Sequence, residues 1–320
     1  MNLQTEGKSS FCYVSEEWLE FKKIQLKQSS YMRYYNILHL YLIPEFGNRE
    51  VRSITRNQVQ SFCHQLLISG GIKGKGLSPK TINCIIAVMK SIFFYSSREK
   101  GLETSDISDV SAKQQPKTMR ILSKTEQNRL SSYLCENLSP CHLGILLCLY
   151  TGLRLGEICA LKWQDVLFDE KCLLINKSMQ RIQTLSESES KTQIVVLPPK
   201  SSCSNRKIPI PNEVMKLLIS YERDPNCYVL TGVSNRYIEP RNLENKFQSI
   251  VQKCMIAPIN FHSLRHTFAT RCIELNFEIK SLSEILGHSN VNITLNRYVH
   301  PSMELKQRNM DKLSSLLTNQ

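Results

Sequence analysis

The sequence predicts a mainly α-helical protein with a small antiparallel β-sheet, an α+β fold divided into two domains. Three observations support this prediction. Apolar residues recur every three or four positions through about the first hundred residues, capping residues separate these segments, and strand-like runs are confined to residues 172–210. A chain of 320 residues is also long enough for two domains. We expect a helical domain over residues 1–105, a polar linker over 106–120 and a second domain over 121–320.

The first domain begins with two predicted helices. One has apolar residues at helical spacing from Trp18 to Ile24, and the next carries an aromatic and apolar stripe from Tyr31 to Leu42. The second helix should stop before Pro44, because a proline ring disfavours helical backbone at the residue before it.

Two further helices of this domain have clear start signals. Thr55 is a candidate N-cap for the third helix, because its side-chain oxygen can accept a hydrogen bond from a free N–H of the first turn. Ser78 is the corresponding N-cap of the fourth helix, Pro79 fits the first turn, and Gly101 ends it. The first domain is therefore predicted to contain four helices.

The second domain begins with helices and continues with short strands. Ser123 and Glu126 form a capping box, and Ser139 opens an apolar helix that Gly152 ends. The chain from Asn212 onward is predicted to be mainly helical. Three strand-like runs lie between these helical parts: Cys172–Ile175, Ile194–Leu197 and Lys207–Ile210.

The chain is strongly basic. It has 41 Lys and Arg against 28 Asp and Glu, a formal net charge of +13, and basic residues are in excess in both halves. Two basic domains joined by a polar linker indicate a clamp on double-stranded nucleic acid, because neutralising phosphates releases bound counterions. Charge alone does not distinguish such a clamp from a generally basic surface.

Other features of the sequence concern compartment and cofactors. No run of eighteen apolar residues is present and the N-terminus lacks the order of a signal peptide, so we expect a soluble, cytoplasmic protein with no membrane partner. The 12 cysteines include no C-x-x-C pair, so we expect reduced thiols and no zinc site. The glycine-rich segment Gly70–Gly76 follows a helix and does not end in the Lys-Ser or Lys-Thr of a nucleotide-binding loop, so we expect a flexible basic connector there.

The second domain contains four short segments whose residue types suit phosphate chemistry. In the first, Arg154 follows the helix-ending Gly152, and Glu157 comes three residues later, where it can brace the guanidinium group. Taken alone, such a pattern is more often a surface ion pair.

The other three segments lie close together in the sequence. His262 and Arg265 are three positions apart, so both can meet one phosphate from the same helical face. His288 follows Gly287, and Tyr298 comes ten residues later, which places the three segments within 37 residues. Each segment is weak alone, and the prediction depends on their order: Arg, then His-x-x-Arg, then Gly-His, then Tyr.

In this order and spacing, the segments resemble the tyrosine recombinase (phage integrase) family, and the resemblance covers nearly the whole chain. The resemblance implies an N-terminal helical, SAM-like core-binding domain and a C-terminal catalytic domain with a tail helix. The catalytic domain of the family carries an R-K-H-R-H-Y set of residues. The candidates implied for this set are Arg154, Lys200, His262, Arg265, His288 and Tyr298, with Glu157 in a supporting role.

The lysine of this set has rivals in the sequence. The segment Pro199–Ile210 resembles the hairpin of the family and places the lysine at Lys200, although Ser201 stands where the family more often has Thr. Lys191 is an alternative in the same hairpin region, and Lys207 is a more distant one.

The resemblance implies roles that elementary chemistry supports. Attack on a phosphodiester increases the negative charge on the phosphoryl oxygens, and preset positive charge stabilises it. The guanidinium groups of Arg154 and Arg265 suit this task, because they remain charged at every working pH and bind phosphate through two donors. His288 would donate a hydrogen bond to the same phosphate.

Tyr298 is the candidate nucleophile and would form a 3′-phosphotyrosyl bond with DNA. A tyrosine with a pKa of about 10 needs help to lose its proton, and His262 is the candidate base. Lys200 is suited to protonate the departing 5′ oxygen, because nearby arginines lower the pKa of a lysine. The covalent link conserves the energy of the broken bond, so we expect neither a cofactor nor a metal ion.

The expected activity is DNA cleavage and rejoining by a site-specific recombinase or integrase of a mobile element. The partners implied are double-stranded DNA, three further copies of the chain in a homo-tetramer on two duplexes, and an excision or directionality factor. A Xer-like resolvase of chromosome dimers is the alternative with the same chemistry. A type IB topoisomerase and a non-catalytic DNA-binding protein on the same fold are further alternatives.

Overall fold

The computed structural model describes residues 9–71, 74–115, 119–184, 192–198, 202–299, 303–311 and 313. The chain divides into two compact units. The first comprises residues 1–117 with 182–192, and the second comprises residues 118–181 with 193–320. No helix in the described part of the chain is long and apolar enough to cross a membrane.

The first unit is built from helices around an apolar core. Thr55 and Ser78 cap two of these helices as predicted, because their side chains accept hydrogen bonds from backbone N–H groups of the first turn. Trp18 and Met89 are among the large side chains buried in the core. The helices are α1 (Phe11–Gln25), α2 (Gln28–Ile37), α3 (Ile43–Phe46), α4 (Arg56–Ser69) and α5 (Pro79–Lys100).

The prediction that the helical chain stops before Pro44 is wrong. A π-helical turn, Leu38–Leu42, follows α2 directly, and Pro44 lies in the first turn of α3. The N–H of Ile43 donates to the carbonyl oxygen of Leu38, five residues earlier. The wider π turn moves the preceding carbonyl groups away from the proline ring, so the ring fits without breaking the helical path.

Part of the predicted linker packs against the first unit. Asn83 in α5 exchanges two hydrogen bonds with the backbone of Ala112, at 2.9 and 2.8 Å. Ile107 and Val110 are buried in the same core. The bounds predicted for the two domains and for the linker remain predictions.

The second unit contains helices on either side of short strands in the sequence. Ser123 and Glu126 form the predicted capping box at the first of these helices. The helices are α6 (Lys124–Glu136), α7 (Pro140–Thr151), α8 (Leu155–Ala160), α9 (Asn212–Tyr221), α10 (Pro240–Lys253), α11 (His262–Glu274), α12 (Ile279–Leu286), α13 (Val291–Tyr298) and α14 (Met303–Asp311). The strands are β1 (Val166–Leu167), β2 (Cys172–Ile175), β3 (Ser178–Gln183), β4 (Thr192–Leu197) and β5 (Arg206–Pro209). The last two residues of β3 and the first residue of β4 are counted with the first unit.

The strands form two small sheets. β2 lies between β1 and β5 in an antiparallel sheet in which Leu173 pairs with Ile208, and β3 pairs with β4. The first predicted strand run has the bounds of β2, and the other two overlap β4 and β5 but begin one or two residues late. Two strands were not predicted: β1, which has only two residues, and β3, in which Met179 and Ile182 are buried among polar neighbours.

Candidate active site

The end of α7 fixes the position of the first candidate residue. Gly152 ends this helix in the left-handed region, with φ of +67°. A Cβ atom on Gly152 would lie 2.6 Å from the Phe268 ring and 3.0 Å from the side chain of Leu286. Glycine is therefore needed both for the backbone conformation and for close packing, and the chain turns here to place Arg154 at the start of α8.

Glu157 braces Arg154 as predicted. Nη1 of Arg154 lies 2.8 Å from Oε1 of Glu157, and the Arg154 backbone N–H donates to Oε2 at 2.9 Å. Nη2 of Arg154 donates to the carbonyl oxygen of Gly287 at 2.9 Å. The guanidinium group is thus held from two sides, while the Arg154 side chain stays 33% exposed.

Arg206, the first residue of β5, is part of the site but was not among the residues predicted for it. Its Nη1 and Nη2 atoms lie 3.0 and 2.9 Å from the two carboxylate oxygens of Glu157. Its Nε donates to the carbonyl oxygen of Ile285 at 2.6 Å. Arg206 therefore links β5 to α8 and α12.

The Glu157 carboxylate is ionised although only 5% of the residue is exposed. Burial favours its neutral form, but the hydrogen bonds and charge of Arg206, with the charge of Arg154, outweigh this and lower the pKa of Glu157 from 4.5 to about 2. One buried carboxylate therefore holds two guanidinium groups at neutral pH.

Arg265 is almost completely buried, with 2% of the residue exposed. Its Nη1 donates to the carbonyl oxygen of Gly152 at 2.9 Å, and its Nη2 donates to that of Leu286 at 2.6 Å. Within the described residues, its hydrogen-bond partners are thus backbone carbonyls and not carboxylates. A buried cation with neutral partners is costly, and a bound anion would remove that cost.

The pKa of Arg265 is affected by this environment. Burial and the positive charge of Arg154 lower it to about 9, which leaves the guanidinium charged at neutral pH. The Gly152 carbonyl lies two residues before Arg154, and the Leu286 carbonyl lies two residues before His288. Because Arg265 binds both carbonyls, these three candidate residues converge on one region.

His262 begins α11 and has an exposed side chain. Desolvation by the surrounding protein, followed by the charges of Arg265, Arg297 and Arg154, lowers the pKa of His262 to about 4. The imidazole is therefore neutral at neutral pH and can donate a hydrogen bond through one nitrogen.

His288 is held by its neighbours at the start of the segment that follows α12. Its Nδ1 lies 2.8 Å from Oγ1 of the buried Thr294, and its backbone N–H donates to the carbonyl oxygen of Ser283 at 3.0 Å. Burial and the charge of Arg265 lower the pKa of His288 to about 4. With Nδ1 occupied by Thr294, the other ring nitrogen is the one that can meet a phosphate.

Tyr298 ends α13 and is only 6% exposed. Its ring lies nearly parallel to that of His288, with centroids 6.5 Å apart and an interplanar angle of 5°. Its hydroxyl oxygen lies 2.7 Å from Nδ1 of His266. Burial raises the pKa of Tyr298 above 10, so the phenol is protonated at neutral pH.

The expectation that His262 serves as the base for Tyr298 does not agree with this geometry. The histidine at the Tyr298 hydroxyl is His266, one helical turn later, and the His262 ring lies 4.5 Å from the His266 ring. His266 was also missed, although its spacing of four from His262 places both on one helical face.

Of the three candidate lysines, the structure describes one. Lys200 and Lys191 lie outside the described residues. Lys207 is exposed and pairs with Glu170 at 2.5 Å. Because successive residues of a strand face opposite sides and Arg206 points towards Glu157, Lys207 points away from the site.

Comparison with known families covers most of the chain. The sequence model of the phage integrase family matches residues 110–304, and that of the phage integrase N-terminal SAM-like domain matches residues 10–67. The chain belongs to the phage integrase family. A mainly helical fold with a SAM-like N-terminal domain and an integrase catalytic domain is thereby confirmed, as is the predicted class of enzyme, a tyrosine-type site-specific DNA recombinase.

Individual relatives from this family are distant in sequence. The XerC-like tyrosine recombinase of Caldanaerobacter subterraneus subsp. tengcongensis is 26% identical, over 93% of this chain and 81% of that protein. The ICEBs1 integrase of Bacillus subtilis is 24% identical, over 96% of this chain and 83% of that protein.

Solved structures share the fold. The Tn1549 transposon integrase in complex with a circular intermediate DNA has a TM-score of 0.75 and 19% identity, over 94% of this chain and 99% of that one. The lambda integrase tetramer bound to a Holliday junction has a TM-score of 0.66 and 14% identity, over 95% of this chain and 82% of that one.

Proposed function

We propose that this recombinase integrates and excises a mobile genetic element by cutting DNA through a phosphotyrosyl bond at Tyr298. The observation that carries the proposal is the convergence of Arg154, Arg265 and His288 through shared backbone contacts, with Tyr298 stacked on His288. A phosphate bound there would lie among preset positive charges and beside a phenol.

The two arginines act as a phosphate clamp. An arginine has five N–H donors, and the contacts described above use two from Arg154 and two from Arg265. The remaining donors can bind the oxygens of one phosphodiester. Since the guanidinium groups are already held in place, they need little reorganisation as negative charge develops in the transition state.

The remaining residues take complementary roles. His262 and His288, both neutral, donate hydrogen bonds to the phosphate oxygens. The Tyr298 oxygen attacks phosphorus, and its phenol proton passes to Nδ1 of His266 as the new bond forms. The bond from phosphorus to the 5′ oxygen breaks, and that oxygen takes a proton from a general acid. Lys200 is our candidate for this acid, with Lys191 as the alternative.

The assembly is proposed by analogy with named relatives. The lambda integrase neighbour is a tetramer on a Holliday junction, and we infer that four copies of this chain act on two DNA duplexes, with the tail helix α14 packing on a neighbouring copy. The helical domain over 1–105 would bind DNA, the catalytic domain over 121–320 would cut it, and residues 106–120 would join them. An excision or directionality factor remains part of the proposal.

The Arg265→Ala variant tests the phosphate clamp formed by the two arginines. It should reduce the rate of DNA cleavage far more than the affinity for DNA, because Arg265 is one cation among many in a chain of net charge +13. Equal losses in cleavage and affinity would contradict the proposed role of Arg265.

A two-site assay tests the mobile-element assignment. A plasmid carrying both ends of the genetic element that encodes the chain should yield an excised circle and a resealed backbone. Recombination at a chromosome-dimer resolution site instead would favour the Xer-like alternative. Relaxation of supercoiled DNA without pairing of two sites would favour a topoisomerase.

A further inference from the structure

We propose that His266 is a positioning residue that aligns the Tyr298 hydroxyl for attack on DNA. This inference rests on the proposed function, in which Tyr298 is the nucleophile. It assigns a specific task to a histidine outside the six-residue set.

The contact between the two side chains is direct and buried. The Tyr298 hydroxyl oxygen lies 2.7 Å from Nδ1 of His266, and the two residues are 6% and 8% exposed. Their ring centroids are 5.7 Å apart. Because water is excluded here, the phenol hydroxyl has few other hydrogen-bond partners, and the bond to His266 restricts its rotation.

The direction of this hydrogen bond follows from the protonation states. Desolvation and the nearby His262, Arg297, Arg265 and His288 lower the pKa of His266 to about 3, so the imidazole is neutral. The Tyr298 phenol is protonated, because burial raises its pKa. The phenol therefore donates its hydrogen to Nδ1 of His266, and the lone pairs of the oxygen point elsewhere and are free to meet phosphorus.

The same surroundings limit what His266 does. An imidazole surrounded by cationic side chains is a weak base, so it holds the O–H bond in place without removing the proton beforehand. The Tyr298 ring is flanked by His288 as well. Two histidines from different segments thus define where the hydroxyl lies, and a small misplacement of a reacting atom has a large kinetic cost.

Two substitutions separate this role from a merely structural one. His266→Leu removes the acceptor but keeps a comparable apolar volume, whereas the amide of His266→Asn can place a polar atom near the position of Nδ1. The assay is single-turnover formation of the covalent adduct on a nicked suicide DNA substrate. We expect His266→Leu to slow adduct formation roughly 10- to 100-fold, and His266→Asn to retain most of the wild-type rate, with unchanged DNA affinity in both.

His142→Leu is the matched control. His142 also hydrogen bonds through Nδ1, but it lies at the opposite end of α7 from Gly152, about 15 Å along the helix. This variant should form the adduct at the wild-type rate.

A spectroscopic measurement tests the contact without relying on activity. In the wild-type protein the ¹⁵N chemical shift of His266 Nδ1 should be that of a hydrogen-bonded acceptor, and Tyr298→Phe should move it. An unchanged shift would overturn the proposal, as would a His266→Leu adduct rate at or above the wild-type rate. Failure of the wild-type protein itself to form any adduct would instead contradict the proposed function.

Discussion

At the centre of the site, single charged side chains that the fold shields from water hold their neighbours in place. Glu157 is the clearest case, because one ionised carboxylate with 5% exposure holds Arg154 and Arg206. Removing a single member of such a group leaves buried charge without a partner. The integrity of the phosphate clamp therefore depends on a residue that need not touch DNA.

Glu157→Gln should lower the free energy of unfolding by about 3 kcal/mol at neutral pH, measured by urea denaturation. The matched control is Glu170→Gln, which removes an exposed ion pair with Lys207 and should change the free energy of unfolding far less, because solvent screens this pair. A similar effect of both substitutions would contradict the account.

The Glu157 pKa also gives a pH dependence with a definite sign. Its value in the folded protein, about 2, lies below the ordinary value of 4.5. The stabilisation by its ionised form is therefore fully present above pH 4.5 and is lost as the pH falls towards 2. The stability difference between the wild-type protein and Glu157→Gln should accordingly shrink over this pH interval.

Arg206 and His266 illustrate which residues the sequence cannot identify. The neighbouring Lys207 has a similar charge, and only the pairing of β5 with β2 determines which of the two side chains faces Glu157. The contact of His266 in α11 with Tyr298 in α13 joins two residues that are 32 positions apart in the sequence. In both cases the function follows from long-range packing.

At the scale of helices and strands, local signals predicted most starts and ends correctly. Capping side chains at Thr55, Ser78 and Ser123 act within one helical turn, so the sequence alone contains the necessary information. Pro44 was misjudged because its fit depends on the π turn before it. Strand β1 was missed because two residues carry no detectable periodicity.

The end of α7 gives a prediction at this scale. Gly152 and Gly101 both have positive φ, +67° and +64°, but an added Cβ would meet the Phe268 ring at 2.6 Å only at Gly152, whereas nothing lies within 4 Å at Gly101. Gly101→Ala should lower the free energy of unfolding by about 1 kcal/mol through backbone strain alone.

Gly152→Ala should lower the free energy of unfolding more than Gly101→Ala does, because it adds a steric clash to the same strain. It should also slow DNA cleavage by displacing Arg154. Unfolding of each variant and single-turnover cleavage are the measurements. Equal destabilisation by the two substitutions would show that the packing around Gly152 can adjust.

At the scale of the whole molecule, the dominant feature is the excess of positive charge. A net charge of +13 spread over both halves favours contact with many DNA phosphates. DNA affinity should therefore fall steeply with salt, by about a thousandfold or more between 50 and 200 mM if six or more phosphates are neutralised. Fluorescence anisotropy over this range is the measurement, and a nearly flat salt dependence would contradict the proposed DNA clamp.

In the proposed reaction, Tyr298 becomes covalently attached to DNA. The most direct measurement is to incubate the protein with a nicked suicide substrate carrying DNA from the ends of its own genetic element, and to map any denaturant-resistant adduct by peptide mass spectrometry. We predict an adduct at Tyr298 that Tyr298→Phe abolishes while DNA binding is retained. An adduct at another residue, or an undiminished adduct with Tyr298→Phe, would contradict the account.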